Sequence, residues 1–454
     1  VKVSTVGAAA RANGLSRSTA LSSNPARTSQ SVAAAPRESS NASRYLQLAL
    51  LVIAAGAIYP ILYLRQVYQP TMLEVFHISE AQLGYLYSAL GIIFLLCYLP
   101  SGWLADRIAP RMLISFSLIA TGALGLWYST APSFASLVVI FGGWGLTTGL
   151  TFWAAIIKRV SMIASADEQG RFFGFLDGGR GLIEAMLATI AIGLFAWVTS
   201  THGESNAAGF KLVVYLYAFL CIALGVVLGL VRDPQAGASA QAARRDSNVF
   251  HDLAALFKSR ELLLLAAIVF CGYQVFWATY SFSAYLHEKE IGLSVVTAGA
   301  ITTLKLWMRP IGGVGGGFLG DRFSKVSVLV TALFCASAAL LVLIAAPAIA
   351  SHALVAVLVL FIGVMTYAIR GLYWSLLDQC KVPAQTIGLA IGLVSVLGYM
   401  PDTFLPLVNG YLTQNYPGVL GYQMYFGYVA CMAALGGIAG LVFKHRINRQ
   451  GAQQ

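Results

Sequence analysis

Gly102-Trp103-Leu104-Ala105-Asp106-Arg107 and Gly317-Phe318-Leu319-Gly320-Asp321-Arg322 are two copies of one pattern, G-x-x-x-D-R, set 215 residues apart. Each closes a long apolar run, 81–104 in the first case and 294–319 in the second. A helix rises about 1.5 Å per residue, so about 20 apolar residues cross the hydrocarbon layer of a bilayer. Windows of that length, bounded by charge, recur at 45–68, 81–104, 110–130, 135–157, 171–199, 210–231, 262–286, 294–319, 326–347, 352–376, 385–412 and 421–443. The motif copies end the second and the eighth of these twelve, the second window in each set of six. The runs are continuous rather than short and alternating, which argues against a membrane barrel. The expected fold class is an all-α membrane protein of twelve transmembrane helices in two six-helix halves.

The composition agrees. The chain has 454 residues, 58% of them hydrophobic and only 10% charged, so its apolar surface needs lipid as solvent. The net charge of +11 sorts by side of the membrane and does not point to nucleic acid. With both termini cytoplasmic, the tails and inner loops hold 22 of the 29 Lys and Arg, the outer loops hold Lys211 and Lys289, and five lie within helices. That is a strong positive-inside bias, and it places both termini in the cytoplasm of an inner-membrane protein. Residues 1–44 are rich in Ala, Ser and Arg and have no apolar core, and they read as a disordered cytoplasmic tail or an organellar transit peptide. The halves then occupy 45–231 and 262–446, joined by a polar cytoplasmic loop at 232–261 and followed by a short tail at 447–454. The six cysteines fall in or at the ends of predicted helices without CxxC spacing, so neither disulfides nor a metal site is expected.

A second echo pairs Gly149-Leu150-Thr151-Phe152-Trp153 with Gly371-Leu372-Tyr373-Trp374. Parallel duplications of this kind place a binding cavity between the halves. On the twelve-helix plan, the central loop and the paired motifs, residues 45–446 resemble the major facilitator superfamily. The resemblance implies a secondary transporter working by alternating access. It also implies that the loops carrying Gly102, Asp106, Arg107, Gly317, Asp321 and Arg322 act as a cytoplasmic latch.

A charge at the centre of a membrane helix costs about 2.5–3.5 kcal/mol, so each one needs a partner, a wet cavity or a task. Those predicted here are Arg65, Arg180, Glu184, Lys305, Arg309, Arg370 and Asp402. Arg180 and Glu184, four residues apart on one helix, are expected to pair with each other. Lys305 and Arg309 have the same spacing but like charge. They are expected to share a face and to need an anion, or a carboxylate such as Asp402. The excess of buried positive charge points to a small anionic substrate, because guanidinium binds carboxylate or phosphate oxygens through charge-assisted, often bidentate bonds. Arg65, Lys305, Arg309 and Arg370 are the expected charge contacts, Arg309 foremost, with Tyr59, Tyr63, Trp153, Trp277, Tyr280 and Trp374 as candidate walls.

Two narrower resemblances share that sign. A tyrosine-rich first helix with Arg65, followed by Asp106-Arg107-Ile108-Ala109-Pro110-Arg111, is similar to organophosphate and organic-anion transporters, although 262–286 lacks the basic residue of the phosphate exchangers. Arg309-Pro310-Ile311-Gly312-Gly313 is similar to the nitrate/nitrite porters, although 81–104 lacks their second arginine.

No phosphate-binding G-x-x-x-x-G-K-[ST] stretch is present, so gradients rather than ATP are expected to drive the cycle, and no cofactor is implied. Glu184 and Asp402, 218 residues apart, are the candidates for proton coupling in a symporter. The alternative from another class is a transporter-fold receptor that senses such a solute without moving it. An enzyme is not expected, since no nucleophile or metal pattern stands in the helices. The expected partners are the lipid bilayer, the solute and protons, with the chain acting as a monomer.

Overall fold

A computed structural model of the chain describes residues 41–165, 168–201, 203–231, 249–349, 351–383 and 386–452. The described residues are helical throughout, with no strand among them. Ten helical segments are each long and apolar enough to cross a bilayer. The other two crossings, the first and the eighth, are each built from two shorter helices. Asn41–Ala57 and Arg65–Phe76 form the first, and Val295–Leu306 and Met308–Arg322 form the eighth.

Proline explains both breaks. It lacks an N–H and its ring clashes with the carbonyl four residues earlier. Pro60 would meet Gly56, and the first helix ends at Ala57. Pro310 would meet Leu306, the last residue of its helix. Between Ala57 and Arg65 the backbone continues in tight turns, with Leu62 N–H donating to Tyr59 O at 3.0 Å and Gln66 N–H to Tyr63 O at 3.0 Å. The expected continuous helix at 45–68 is therefore interrupted, and Arg65 opens a new helix rather than sitting inside one.

Within each half, small residues let helices approach. In the third and sixth crossings, Pro110–Tyr128 and Asn206–Leu230, Ser115 donates to Gly225 O at 2.7 Å, and a Cβ on Gly122 would collide with Ala218. The ninth and twelfth, Lys325–Ile349 and Val419–Ala452, repeat the device with Ser337 on Ala430 O at 2.7 Å. The duplication seen in sequence thus extends to packing. The first helix begins at Asn41, inside the stretch 1–44, and the last continues to Ala452, beyond 446. Residues 1–40 and 232–248 lie outside the described residues, and the remainder of the central loop carries a short helix, Val249–Lys258.

The two halves meet at mid-height and at the end of the bundle opposite the G-x-x-x-D-R motifs. There the second crossing, Glu80–Arg107, packs against Pro401–Asn415 of the eleventh. A Cβ on Gly410 would lie 2.6 Å from Glu80 O, and Ala81 N–H donates to Gln414 Oε1 at 3.2 Å. At the motif end, added Cβ atoms at Gly102, Gly174, Gly178 and Gly317 would meet nothing within 4 Å. The bundle is closed at one end and open at the motif end.

Candidate functional site

Irregular turns interrupt or end several crossings. The fourth crossing carries a π turn at Leu146–Leu150, and the seventh a 3-10 turn at Thr279–Ser281 between Arg260–Ala278 and Phe282–His287. The tenth runs from His352–Tyr373 into a 3-10 segment at Trp374–Cys380, and the eleventh breaks between Ile387–Gly398 and Pro401–Asn415. These crossings, with the first and the eighth, carry most of the predicted site residues. The fifth, Gln169–Ala196, stays continuous beside them.

The charges pair differently from the expectation. Glu184 does not pair with Arg180 on its own helix; it crosses to the other half and accepts from Arg309 Nη1 at 2.8 Å. Arg180 takes Asp177 instead, Nε to Oδ1 at 3.3 Å, and its guanidinium lies over the Trp153 ring at 4.8 Å. Asp177 also stands 3.8 Å from Arg309, and its side chain is 75% exposed, toward the open cleft. The turn at Trp307 assigns Lys305 and Arg309 to successive helices, and Glu184 rather than Asp402 is the carboxylate beside them. Lys305 is fully buried, donates to Thr279 Oγ1 at 3.0 Å and lies over Tyr280 at 5.8 Å; it does not pair with Asp402. The Asp402 carboxylate is held by Trp277 Nε1 at 2.5 Å and by the Tyr273 hydroxyl.

Arg370 is the exception. Half-buried, it has no carboxylate and no hydrogen-bond acceptor among the described residues. Its guanidinium lies over the rings of Phe276 at 4.0 Å and Tyr273 at 5.7 Å. Beside it, Tyr399 OH accepts from Trp374 Nε1 at 3.0 Å and sits 3.2 Å from Tyr373 OH. This corner pairs one free cation with aromatic faces and hydroxyls.

The aromatic walls link the two sides. Tyr63 reaches Trp277 and Tyr280 with ring centroids 6.5 and 5.3 Å away, and Tyr59 packs against Trp153 at 6.5 Å. Trp277 and Tyr280 are buried, so they form the floor of the cleft rather than its open walls. Arg65 lies on the closed side of that floor. It is 1% exposed and donates to Gln69 Oε1 at 2.8 Å and, at 3.5 Å, to Ser281 Oγ in the other half. Gln69 donates to Glu80 at 2.7 Å, and Tyr422 OH to the same carboxylate at 3.0 Å. In this state Arg65 belongs to the closure between the halves and does not line the cleft.

Arg107 lies over its own neighbour Trp103 at 3.9 Å and Arg322 over Phe323 at 5.9 Å, while Asp321 is exposed; the Asp106 side chain lies outside the described residues. Sequence reasoning missed Asp177, Tyr273, Phe276, Tyr399 and Tyr367, whose ring lies 5.8 Å from the Arg309 guanidinium. Asp177 had a legible signal, its i,i+3 spacing to Arg180. Tyr273 and Phe276 sit one turn before Trp277 and Tyr280, whereas Tyr367 and Tyr399 carried no local mark. No group of three or more metal-ligating side chains occurs among the described residues.

Two duplicated helical halves enclosing a charged midplane cleft define a multi-pass transporter rather than an enzyme. The chain belongs to the Major Facilitator Superfamily: the family model matches residues 46–401. It is similar to the inner membrane protein YihN of Escherichia coli, 28% identical over 90% of this chain and 97% of the relative. A D-galactonate transporter of Escherichia coli is 22% identical over 90% and 97%. Among solved structures, a bacterial homolog of the human lysosomal transporter Spinster superposes with a TM-score of 0.68 at 18% identity, covering 88% of this chain and 96% of that one. Membership makes the chain a secondary transporter of a small solute.

Proposed function

We propose that this transporter carries a small organic anion of the sugar-acid type, with the substrate carboxylate on Arg370. The observation that supports this reading is the Arg370 guanidinium, which has no acceptor among the described residues. Charge-assisted hydrogen bonds are strong, and leaving such a donor unpaired away from bulk water is costly, so the site favours an anion. The hydroxyls of Tyr399 and Tyr373 and the faces of Phe276 and Tyr273 suit a polyhydroxylated chain beside that carboxylate. The names of the relatives agree with this chemistry: one is a D-galactonate transporter, and another a probable galactarate/D-glucarate transporter.

Lys305 and Arg309 take supporting roles in this reading. Arg309 is the counter-charge of Glu184, so it senses the substrate through a shared field rather than by first contact. Arg65 would meet the substrate in the alternate state, when the closed end opens. Glu184 and Asp402 remain the carboxylates proposed for proton coupling. In this reading the excess of basic residues at the motif end supports a cytoplasmic motif end and cytoplasmic termini. The state described is then inward-open, and the loops carrying Asp106, Arg107, Asp321 and Arg322 latch when it closes.

Accumulation of sugar acids in proteoliposomes, compared with their neutral sugars, tests the proposal. Uptake of the acid that is lost in Arg370→Ala supports it. A preference for the neutral sugar, or binding without accumulation, would sink it, the second outcome pointing to a sensor.

A further inference from the structure

A groove of about 350 Å³ lies on the outer surface between the seventh and twelfth crossings, lined by Arg260, Leu263, Leu264, Val442 and Arg446. Helical spacing explains the lining. Arg260, Leu263 and Leu264 share one face of their helix, and Val442 and Arg446 one face of theirs. The two helices pack against each other. Both arginines stand at the same end of the groove, next to the polar loop, and the aliphatic side chains lie about one turn deeper.

We infer that this groove binds an anionic phospholipid, its phosphate held by Arg260 and Arg446 and one acyl chain laid along Leu263, Leu264 and Val442. The charge is complementary and incompletely neutralised. Arg446 gives its Nε and one Nη to Glu261 Oε1, at 3.0 and 2.9 Å, while Arg260 is exposed and has no protein partner among the described residues. Basic pockets between membrane helices at this level suit acidic headgroups. The apolar strip continues into the bilayer through Ile438 and Leu435, both 51% exposed. An acyl chain reaches that strip, whereas an acidic peptide confined to the water layer does not. Phe257, 47% exposed on the preceding short helix, adds an apolar contact at the interface.

Native mass spectrometry of the purified transporter in detergent, titrated with phosphatidylglycerol or phosphatidylcholine of identical acyl chains, tests the inference. The parent should hold phosphatidylglycerol in preference. Arg260→Ala should weaken that preference roughly fivefold, the effect of about one basic residue at an anionic surface, Arg260→Lys should keep it, and Arg260→Ala with Arg446→Ala should abolish it. Because Arg260 is exposed and has no partner among the described residues, its single replacement folds as the parent does and remains informative if the double replacement fails to fold. Equal binding of the two lipids by the parent would overturn the inference. So would a preference unchanged by Arg260→Ala, or by the double replacement in protein with the parental thermal midpoint in lipid-free detergent.

Discussion

Arg370 and Arg309 are both arginines at cleft level, and their neighbours give them different work. Arg370 lies over aromatic rings and has no ion pair with a carboxylate among the described residues, so its replacement should act on binding. Arg370→Ala should weaken sugar-acid binding about tenfold to a hundredfold, the worth of one or two charge-assisted hydrogen bonds, and Arg370→Lys should recover only part of it. Ligand-induced thermal shifts measure both. Arg309 is held 2.8 Å from Glu184 across the halves, so Arg309→Ala leaves a carboxylate unpaired. The double replacement Arg309→Ala with Glu184→Gln should then have a higher thermal midpoint and bind the sugar acid better than Arg309→Ala alone, because the stranded charge is gone. A double variant no better than the single one would return Arg309 to direct substrate contact. The pH dependence of uptake in Glu184→Gln and Asp402→Asn separates the two acids. If neither replacement alters it, protons are not carried here.

At the scale of the element, helix breaks decide where side chains point. Pro310 stops the hydrogen-bond ladder at Leu306, so Lys305 and Arg309 stand on successive helices. Pro310→Ala restores the missing donor, so it should keep or raise the thermal midpoint while lowering uptake. A variant with full uptake would show that the break is incidental. A second element-scale device anchors the start of the first crossing. Arg44 donates to Ile163 O at 2.8 Å and to Glu168 at 2.5 Å, tying that helix to the connection between the fourth and fifth crossings. Hydrogen bonds from Ser165 and Arg44 hold the Glu168 carboxyl down at about 2, against an ordinary 4.5. A depressed folded-state value stabilises the protein fully above the unfolded value and is lost as pH falls through the folded one. The advantage of the parent over Glu168→Gln in thermal midpoint should therefore be constant above about pH 4.5 and vanish toward pH 2. A gap independent of pH would mean that shape, not charge, makes the anchor.

Across the whole molecule, glycine controls which end can close. Gly410 lets the eleventh crossing touch Glu80 and Ala81 of the second, and no side chain fits there. Gly410→Val should wedge that end apart and shift the population toward the opposite state. A cysteine placed at Gly102, where the motif end stands open, should then react more slowly with an impermeant maleimide than in the parent background. Unchanged reactivity would mean that the contact between the two crossings does not set the equilibrium.

The sequence alone was enough for the architecture, because membrane insertion is governed by local quantities. Run length, charge at the boundaries and a repeated motif each act within some 20 residues, and they located all twelve crossings and the duplication. It also pointed to the residues that matter, since a charge inside a long apolar run is conspicuous wherever the chain folds. Partnership was not legible. Glu184 stands 125 residues from Arg309, and Asp402 the same distance from Trp277, so spacing favoured the nearer Arg180 for Glu184. Only tertiary packing decided these partners: Arg309 meets Glu184 across the halves, whereas Asp402 meets Trp277, and Arg370 its aromatic rings, within one half. Electrostatic energy depends on distance through space, and a distance across two halves of a bundle is not written in any single helix.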